Sequence, residues 1–450
     1  MDTLFDSQGF WKLGLVVVVA VFSFFGLIKS SKFSLLFIGA MLFISGLGLG
    51  EDVQKGVEYH TWLFPLQSNR QAVYMACAGM VLLGGMIHAA KLKTSNIPGL
   101  GIGMMLMGVY MGTITIFHTG MINGFAAIVL ALFSMSAVMI VLASQLREWD
   151  DFVSMLRVLA LIGCVWTLAC VVQFVVDKSA LTTGFGLRRF IGLSGNPQHA
   201  AGLSAVMATL SFWLVLNDRS KLWKLLAVMA ATTHIVFVLW TASRTGLALT
   251  MIGFTGILYA RLGRAVFFAP VAGLIGYAVL TLAQNMGVEF GFERLTSSDD
   301  TRSDKWNILI ERGFSSPIVG VGLEDAGGSE NGFLYGFASF GFGVPIILTL
   351  IMLATMVVCA KLVKARFETP NPVGKRVIDL TLAFFAMYWA GNMFEGFGVA
   401  RISPQLTYFL IFSCFASCAI ALARDEHAWE AEARNDVAPE EEYFPQPIRL

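Results

Sequence analysis

Apolar runs of about membrane length, separated by short polar breaks, recur along this 450-residue chain. A helix of about 20 apolar residues crosses the hydrocarbon of a bilayer. The pattern predicts spans near 13–28, 33–50, 71–90, 99–117, 121–143, 153–175, 199–216, 222–240, 245–260, 265–284, 332–358, 377–393 and 405–423. Only Thr241 to Arg244 separate two of these runs. The expected fold is an all-α integral membrane protein with about 12–14 transmembrane helices, since helices satisfy their own backbone in lipid. Residues 1–423 then form one polytopic domain, and 424–450 an acidic, solvated, partly disordered tail carrying Glu440, Glu441 and Glu442.

One polar insert breaks the rhythm. The segment 285–331 is far longer than the other breaks, and loops beyond about 12–15 residues are usually functional or disordered. Its second half does not read as disordered. Trp306, Ile308, Leu309 and Ile310 predict an amphipathic helix, and Pro317, Ile318 and Val319 a buried turn. The insert is therefore expected to be an ordered cap over a site.

Composition agrees with a membrane protein: 56% of residues are hydrophobic and 14% charged, against about 25% charged in soluble domains. The 45 glycines suit close helix packing in lipid. A net charge of +1 offers no bulk attraction to nucleic acid. The cysteines Cys77, Cys164, Cys170, Cys359, Cys414 and Cys418 all fall in apolar runs without metal or CxxC spacing, so packing is their expected role.

Lys and Arg mark the cytoplasmic loops of membrane proteins. Lys29 and Lys32; Lys91 and Lys93; Arg147; Arg219, Lys221 and Lys224; Arg261 and Arg264; and Lys361 to Arg376 form the basic set. This places the N-terminus outside and the C-terminus in the cytoplasm. Asp2 and Asp6 precede the first apolar run and Lys29 and Lys32 follow it, the reverse of a cleavable signal. The loops 177–198, 241–244, 285–331 and 394–404 then share the outer face.

Those loops hold the unusual residues. Arg188 and Arg189 lie ahead of a Gly195-Asn196-Pro197 turn leading into a helix near His199. A helix N-terminus with nearby arginines suits an anion, although interfacial arginines also anchor to lipid headgroups. Arg244 sits at the break between two runs, where a charge is costly enough to suggest function, or else snorkels to mark a helix end. Arg302, with Asp304 and Lys305, belongs either to a site or to a solvated face. Glu330 and Asn331 precede an aromatic run, and Glu330 reads as a helix cap or as a reactive carboxylate. His60 and His118 fall in outer loops and His88 and His234 in apolar helices; none has ligand spacing. The chain has no Walker A loop, HExxH, GxSxG, CxxC or clean DxD, so neither a metal nor a cofactor is expected.

Four segments in order, LSGNPQHAA, TASRTGLAL, RSDKWNILIERGFSSPIVGVGLE and SENGFLYGFASFGFGV, resemble the O-antigen ligase and O-antigen polymerase family of bacterial glycan-assembly enzymes. The matching positions are Gly195-Asn196-Pro197, Ser243-Arg244, Arg302 with Trp306, Pro317 with Gly320 and Gly322, and Glu330-Asn331, over residues 185–345. Family ligases carry His where this chain has Glu330. That departure tilts the expectation from ligation onto a lipid A core toward polymerisation of exopolysaccharide or O-antigen repeat units.

The resemblance implies a multi-pass protein of the bacterial inner membrane. Its donor and acceptor would be undecaprenyl-diphosphate-linked glycans on the periplasmic side, with chain-length-regulating or export proteins as further partners. Arginines would neutralise the departing diphosphate and a base would activate the acceptor hydroxyl. Arg244, Arg302, Arg188 and Arg189 are the diphosphate candidates, with Arg401 on the same face. Glu330 is the base candidate, and Asn196 and Asn331 would help bind substrate. A lipid-linked oligosaccharide flippase is the rival class, but the chain has no internal repeat of the kind such transporters show.

Overall fold

A computed structural model of the chain describes residues 33–48, 50–52, 57–59, 61–87, 96–183, 189–263, 302–328, 330–399 and 402–436. The runs at 13–28 and 265–284, Arg188, Arg401, His60, His88 and the insert before Arg302 lie outside them.

Among the described residues, nine helices are long and apolar enough to cross a membrane. They are α3 (Arg70–Ile87), α4 (Gly99–Thr119), α5 (Met121–Gln145), α6 (Trp149–Val176), α7 (Pro197–Asn217), α8 (Lys221–Trp240), α12 (Gly343–Glu368), α13 (Pro372–Phe394) and most of α14 (Pro404–Asp436). The chain is a multi-pass membrane protein, and its described residues are helical apart from one short antiparallel hairpin, Gly50–Asp52 with Val57–Tyr59, and the loops between elements. Shorter helices are α1 (Phe33–Gly46), α2 (Phe64–Ser68), α10 (Ser303–Ser315) and α11 (Gly332–Phe340). The helix α9 (Arg244–Leu262) fills the run expected at 245–260.

The core runs through α7, α13 and α14. Phe384 stacks on Phe412 with centroids 4.1 Å apart, and Phe152 meets Phe415 edge-on at 4.9 Å. Cys414 and Cys418 are buried free thiols, as a packing role requires. Glycine brings α9 close to its neighbours: a Cβ on Gly246 would lie 2.5 Å from that of Ala201 on α7, and one on Gly256 2.5 Å from that of Ala383 on α13. Small residues at such crossings let backbones approach, and this draws Thr245 toward the end of α13.

Two expectations need correction. The run 332–358 is not one span. It breaks at Gly341 (φ 75°) into α11 and α12, and only α12 is of crossing length. Hydropathy does not register such a break because both halves are apolar. The second correction concerns Pro317 and Ile318, whose side chains are exposed rather than buried. The turn contributes backbone instead. Pro317 O accepts from Phe342 N (2.9 Å), Ala338 O from Val321 N (2.8 Å) and Ser339 O from Gly322 N (3.2 Å). A Cβ on Gly320 (φ 70°) would lie 2.3 Å from the Ser339 carbonyl carbon. Gly320→Ala therefore meets both a left-handed conformation, at about 1–2 kcal/mol, and a backbone clash. Loss of accumulated protein, or of protease resistance in this segment, is the expected readout; an unchanged level would show that the turn can shift.

The acidic tail does not begin as a coil. α14 continues without a break past residue 423 to Asp436, and Glu426 accepts from Trp149 Nε1 (2.7 Å) and Thr369 Oγ1 (2.5 Å).

The bundle has two chemically distinct ends. At one lie Arg147, the Arg157–Asp218 ion pair (2.7 Å), Arg219, Lys375 and Arg376, whose carbonyl accepts from Trp213 Nε1 (3.0 Å). At the other, the described parts of the four expected outer loops meet one another. Arg189 Nε donates to Thr241 O (2.7 Å), Phe190 N to Trp240 O (3.1 Å), and Asn331 Nδ2 to Met393 O (2.9 Å).

Candidate functional site

The amphipathic helix expected around Trp306 is α10. Its apolar face buries Leu309 against Ala326 and Ala338, which lays the helix on the docked turn and on α11. Arg302, at the N-cap position, and Lys305, one turn on, then project the same way, as residues three apart on a helix do. Each meets an acid from a different element.

Arg302 Nη2 donates to Thr245 Oγ1 at 2.8 Å and to Glu395 Oε1 at 3.2 Å, and its guanidinium lies 5.1 Å from the Phe394 ring centroid. Glu395 caps the C-terminus of α13. Its backbone N–H reaches Gly391 O (2.8 Å), and Gly398 N donates to Asn392 Oδ1 (2.7 Å), so the chain folds back over it. The Thr245 hydroxyl also bonds Glu395 Oε1, at 3.3 Å. Glu395 is 4% exposed. Burial pushes its carboxyl up to about 7; Arg302 pulls it down, and the neighbouring Glu330 carboxylate pushes it up.

Lys305 Nζ contacts Glu330 Oε1 directly. Glu330 is 9% exposed, and its other oxygen, Oε2, is buried without a hydrogen-bond partner among the described residues. A Cβ on Gly328 would fall 2.1 Å from that oxygen, so a glycine there makes room for the carboxylate. Trp306 Nε1 reaches Glu330 O at 3.4 Å. Glu330 is not the cap of α11. That task belongs to Asn331, whose Oδ1 accepts from Phe333 N (2.9 Å) and Leu334 N (3.0 Å). The cap alternative for Glu330 is thereby removed.

The other expected residues take varied places. Asn331, with its amide on Met393 O, joins α11 to the end of α13. Asn196 caps α7 through Gln198 N (2.8 Å) and His199 N (3.4 Å), after Gly195 at φ 67°. Both asparagines thus have a structural task. Arg189 pins its loop to the 241–243 break. Arg244 is exposed at the first turn of α9, and it is the adjacent Thr245 that reaches Arg302. His118 lies in the last turn of α4 rather than in a loop, its ring nitrogen 2.8 Å from Val319 O. His234 is buried in α8, as expected of a core histidine.

The residue that sequence reading passed over is Glu395. Its signal was an acid directly after the apolar run 377–393, where a charge at the edge of hydrocarbon is costly without a partner.

The assembled group is two cations one helical turn apart, two buried carboxylates, a hydroxyl and an aromatic face, drawn from α9, α10, α13 and the entry to α11. Such a set can bind an oxyanion through Arg302 and accept a proton at a carboxylate. No protein-family profile matches this chain, and no curated protein is significantly similar to it.

Proposed function

We propose that this chain is a membrane glycosyltransferase that joins undecaprenyl-diphosphate-linked oligosaccharide repeat units into an exopolysaccharide or O-antigen. Its site would be the cluster around Arg302 and Glu330. The observation that carries this reading is Glu330: a buried carboxylate beside Lys305, with one oxygen unpartnered among the described residues, at the bundle end that also holds Arg302. The ordered resemblance to O-antigen polymerases and ligases supports it.

In the proposed reaction the acceptor hydroxyl oxygen attacks the anomeric carbon of the donor glycan. The bond from that carbon to the diphosphate oxygen breaks, and the lipid diphosphate leaves with the electron pair. Glu330 takes the hydroxyl proton. Arg302 meets the charge growing on the diphosphate, where fixed positive charge lowers the barrier most. Arg244, at the same end, is the second diphosphate candidate, and Arg189 shapes the adjoining loop. The lipid diphosphate is itself the leaving group, so the proposed chemistry calls for no metal or nucleotide.

The reading places the site on the periplasmic face of a bacterial inner membrane and the basic end in the cytoplasm. In a variant without its native cysteines, Ser303→Cys, exposed on α10, should react with a membrane-impermeant thiol reagent on intact cells. Arg219→Cys, exposed at the opposite end, should react only after lysis. The opposite pattern would put the site in the cytoplasm and sink the periplasmic assignment. Elongation of a lipid-diphosphate glycan by the purified chain tests the activity itself.

A further inference from the structure

In this structure the arginine proposed for the diphosphate is already engaged. Arg302 spends one nitrogen on Glu395 and Thr245. A dianionic ligand and a buried carboxylate compete for the same guanidinium, and a planar fork can exchange one oxyanion for another without changing its own geometry.

We propose that Glu395 is a positioning residue that holds Arg302 ready until the donor binds, yields it to the donor's diphosphate, and takes up a proton as it does so. The inference rests on the diphosphate reading above and deepens it. Three observations carry it. Glu395 is almost wholly buried, so its carboxylate cannot turn to water when Arg302 leaves. The charged groups acting on it are Arg302 and Lys305 from α10 and Glu330 at the entry to α11. From α9 the neutral Thr245 hydroxyl donates to it. Removal of Arg302 to a ligand takes away its largest favourable charge contact and leaves the opposing Glu330 in place. The carboxyl, pushed up to about 7 even while Arg302 contacts it, then moves higher.

The linkage has a definite sign. The group binds its proton more tightly in the complex than in the free protein. Ligand affinity is therefore greatest below about 7 and falls as pH rises above it, by up to about tenfold per unit until the higher value is reached.

Farnesyl diphosphate is a suitable probe, bound to the detergent-purified full chain and followed by calorimetry at pH 7.5 in buffers of different ionisation enthalpy. Wild type should take up more protons than Glu395→Gln, by roughly three-quarters of a proton, the ionised fraction of a group at about 7. The fall in affinity above pH 7 should also be lost in the variant. Equal proton uptake in the two proteins overturns the proposal but leaves the diphosphate site standing. Absence of saturable binding to wild type overturns both.

If Glu395→Gln fails to accumulate, infrared spectra of wild type and Glu330→Gln still decide. Binding should add a protonated-carboxyl band to the infrared difference spectrum, and that band should persist in Glu330→Gln. A missing band, or one that disappears with Glu330, overturns the role of Glu395.

Discussion

Glu330→Gln should leave the protein inserted and accumulating at its normal level while glycan chains stall at a single repeat unit on the lipid carrier. A general base typically contributes about 10²–10⁴-fold in rate, and the amide keeps the shape and hydrogen-bonding capacity of the carboxylate without its basicity. Stability should change little, because Asn331 rather than Glu330 caps α11. The partner left behind, Lys305, is half-exposed and can turn to water. The rival explanation is that Glu330 matters only as the partner of Lys305. Lys305→Ala separates the two: it removes the ion pair and spares the carboxylate, so it should retain most elongation. Equal losses in Glu330→Gln and Lys305→Ala would reduce Glu330 to a structural role and send the search for a base to Glu395.

Arg302→Lys carries the second large effect. The substitution keeps the charge but loses the guanidinium, whose Nη2 reaches both Thr245 and Glu395 and whose planar fork can hold an oxyanion bidentately. A hydrogen bond to a charged group is worth about 1.5–3 kcal/mol, so elongation should fall roughly ten- to hundredfold. The ion pair is partly exposed, and the protein should still accumulate, since α10 is held by Leu309 in its own small cluster. Measured elongation at the wild-type rate with Lys at 302 would mean that the guanidinium only anchors α10 to α13. Arg244→Lys is the companion measurement: Arg244 is exposed at the start of α9, and a loss of elongation with normal accumulation would support its contact with the diphosphate.

Much of the architecture was legible from residue order alone. Apolar runs of membrane length announce helices because lipid leaves the backbone no other partners. Most of the described spans accordingly fall within a few residues of their expected limits, as at 99–117 for Gly99–Thr119 and 121–143 for Met121–Gln145, whereas 33–50 yields only the 14-residue Phe33–Gly46 and 332–358 divides in two. The Gly-Asn-Pro turn, the Ser-Arg break and the Trp306 helix were also local matters of turn chemistry, capping and periodicity. They mark the segments that meet at one end of the bundle.

Which side chains meet there was decided by tertiary packing. Gly246 and Gly256 let α9 close on α7 and α13, and that approach makes Thr245, not its charged neighbour Arg244, the partner of Arg302. The left-handed Gly341 divides an apolar run that hydropathy reads as continuous, and the backbone of 317–322 docks there with Pro317 and Ile318 outward. Glu395 was invisible as a partner because its ion pair joins residues 93 positions apart. The sequence by itself determined a helical membrane protein with its unusual polar residues gathered in a few loops, because burial in lipid and local backbone chemistry act over short stretches. Only the tertiary structure decided the pairing of Arg302 with Glu395 and of Lys305 with Glu330, because charge pairing depends on distances between helices that no local pattern specifies.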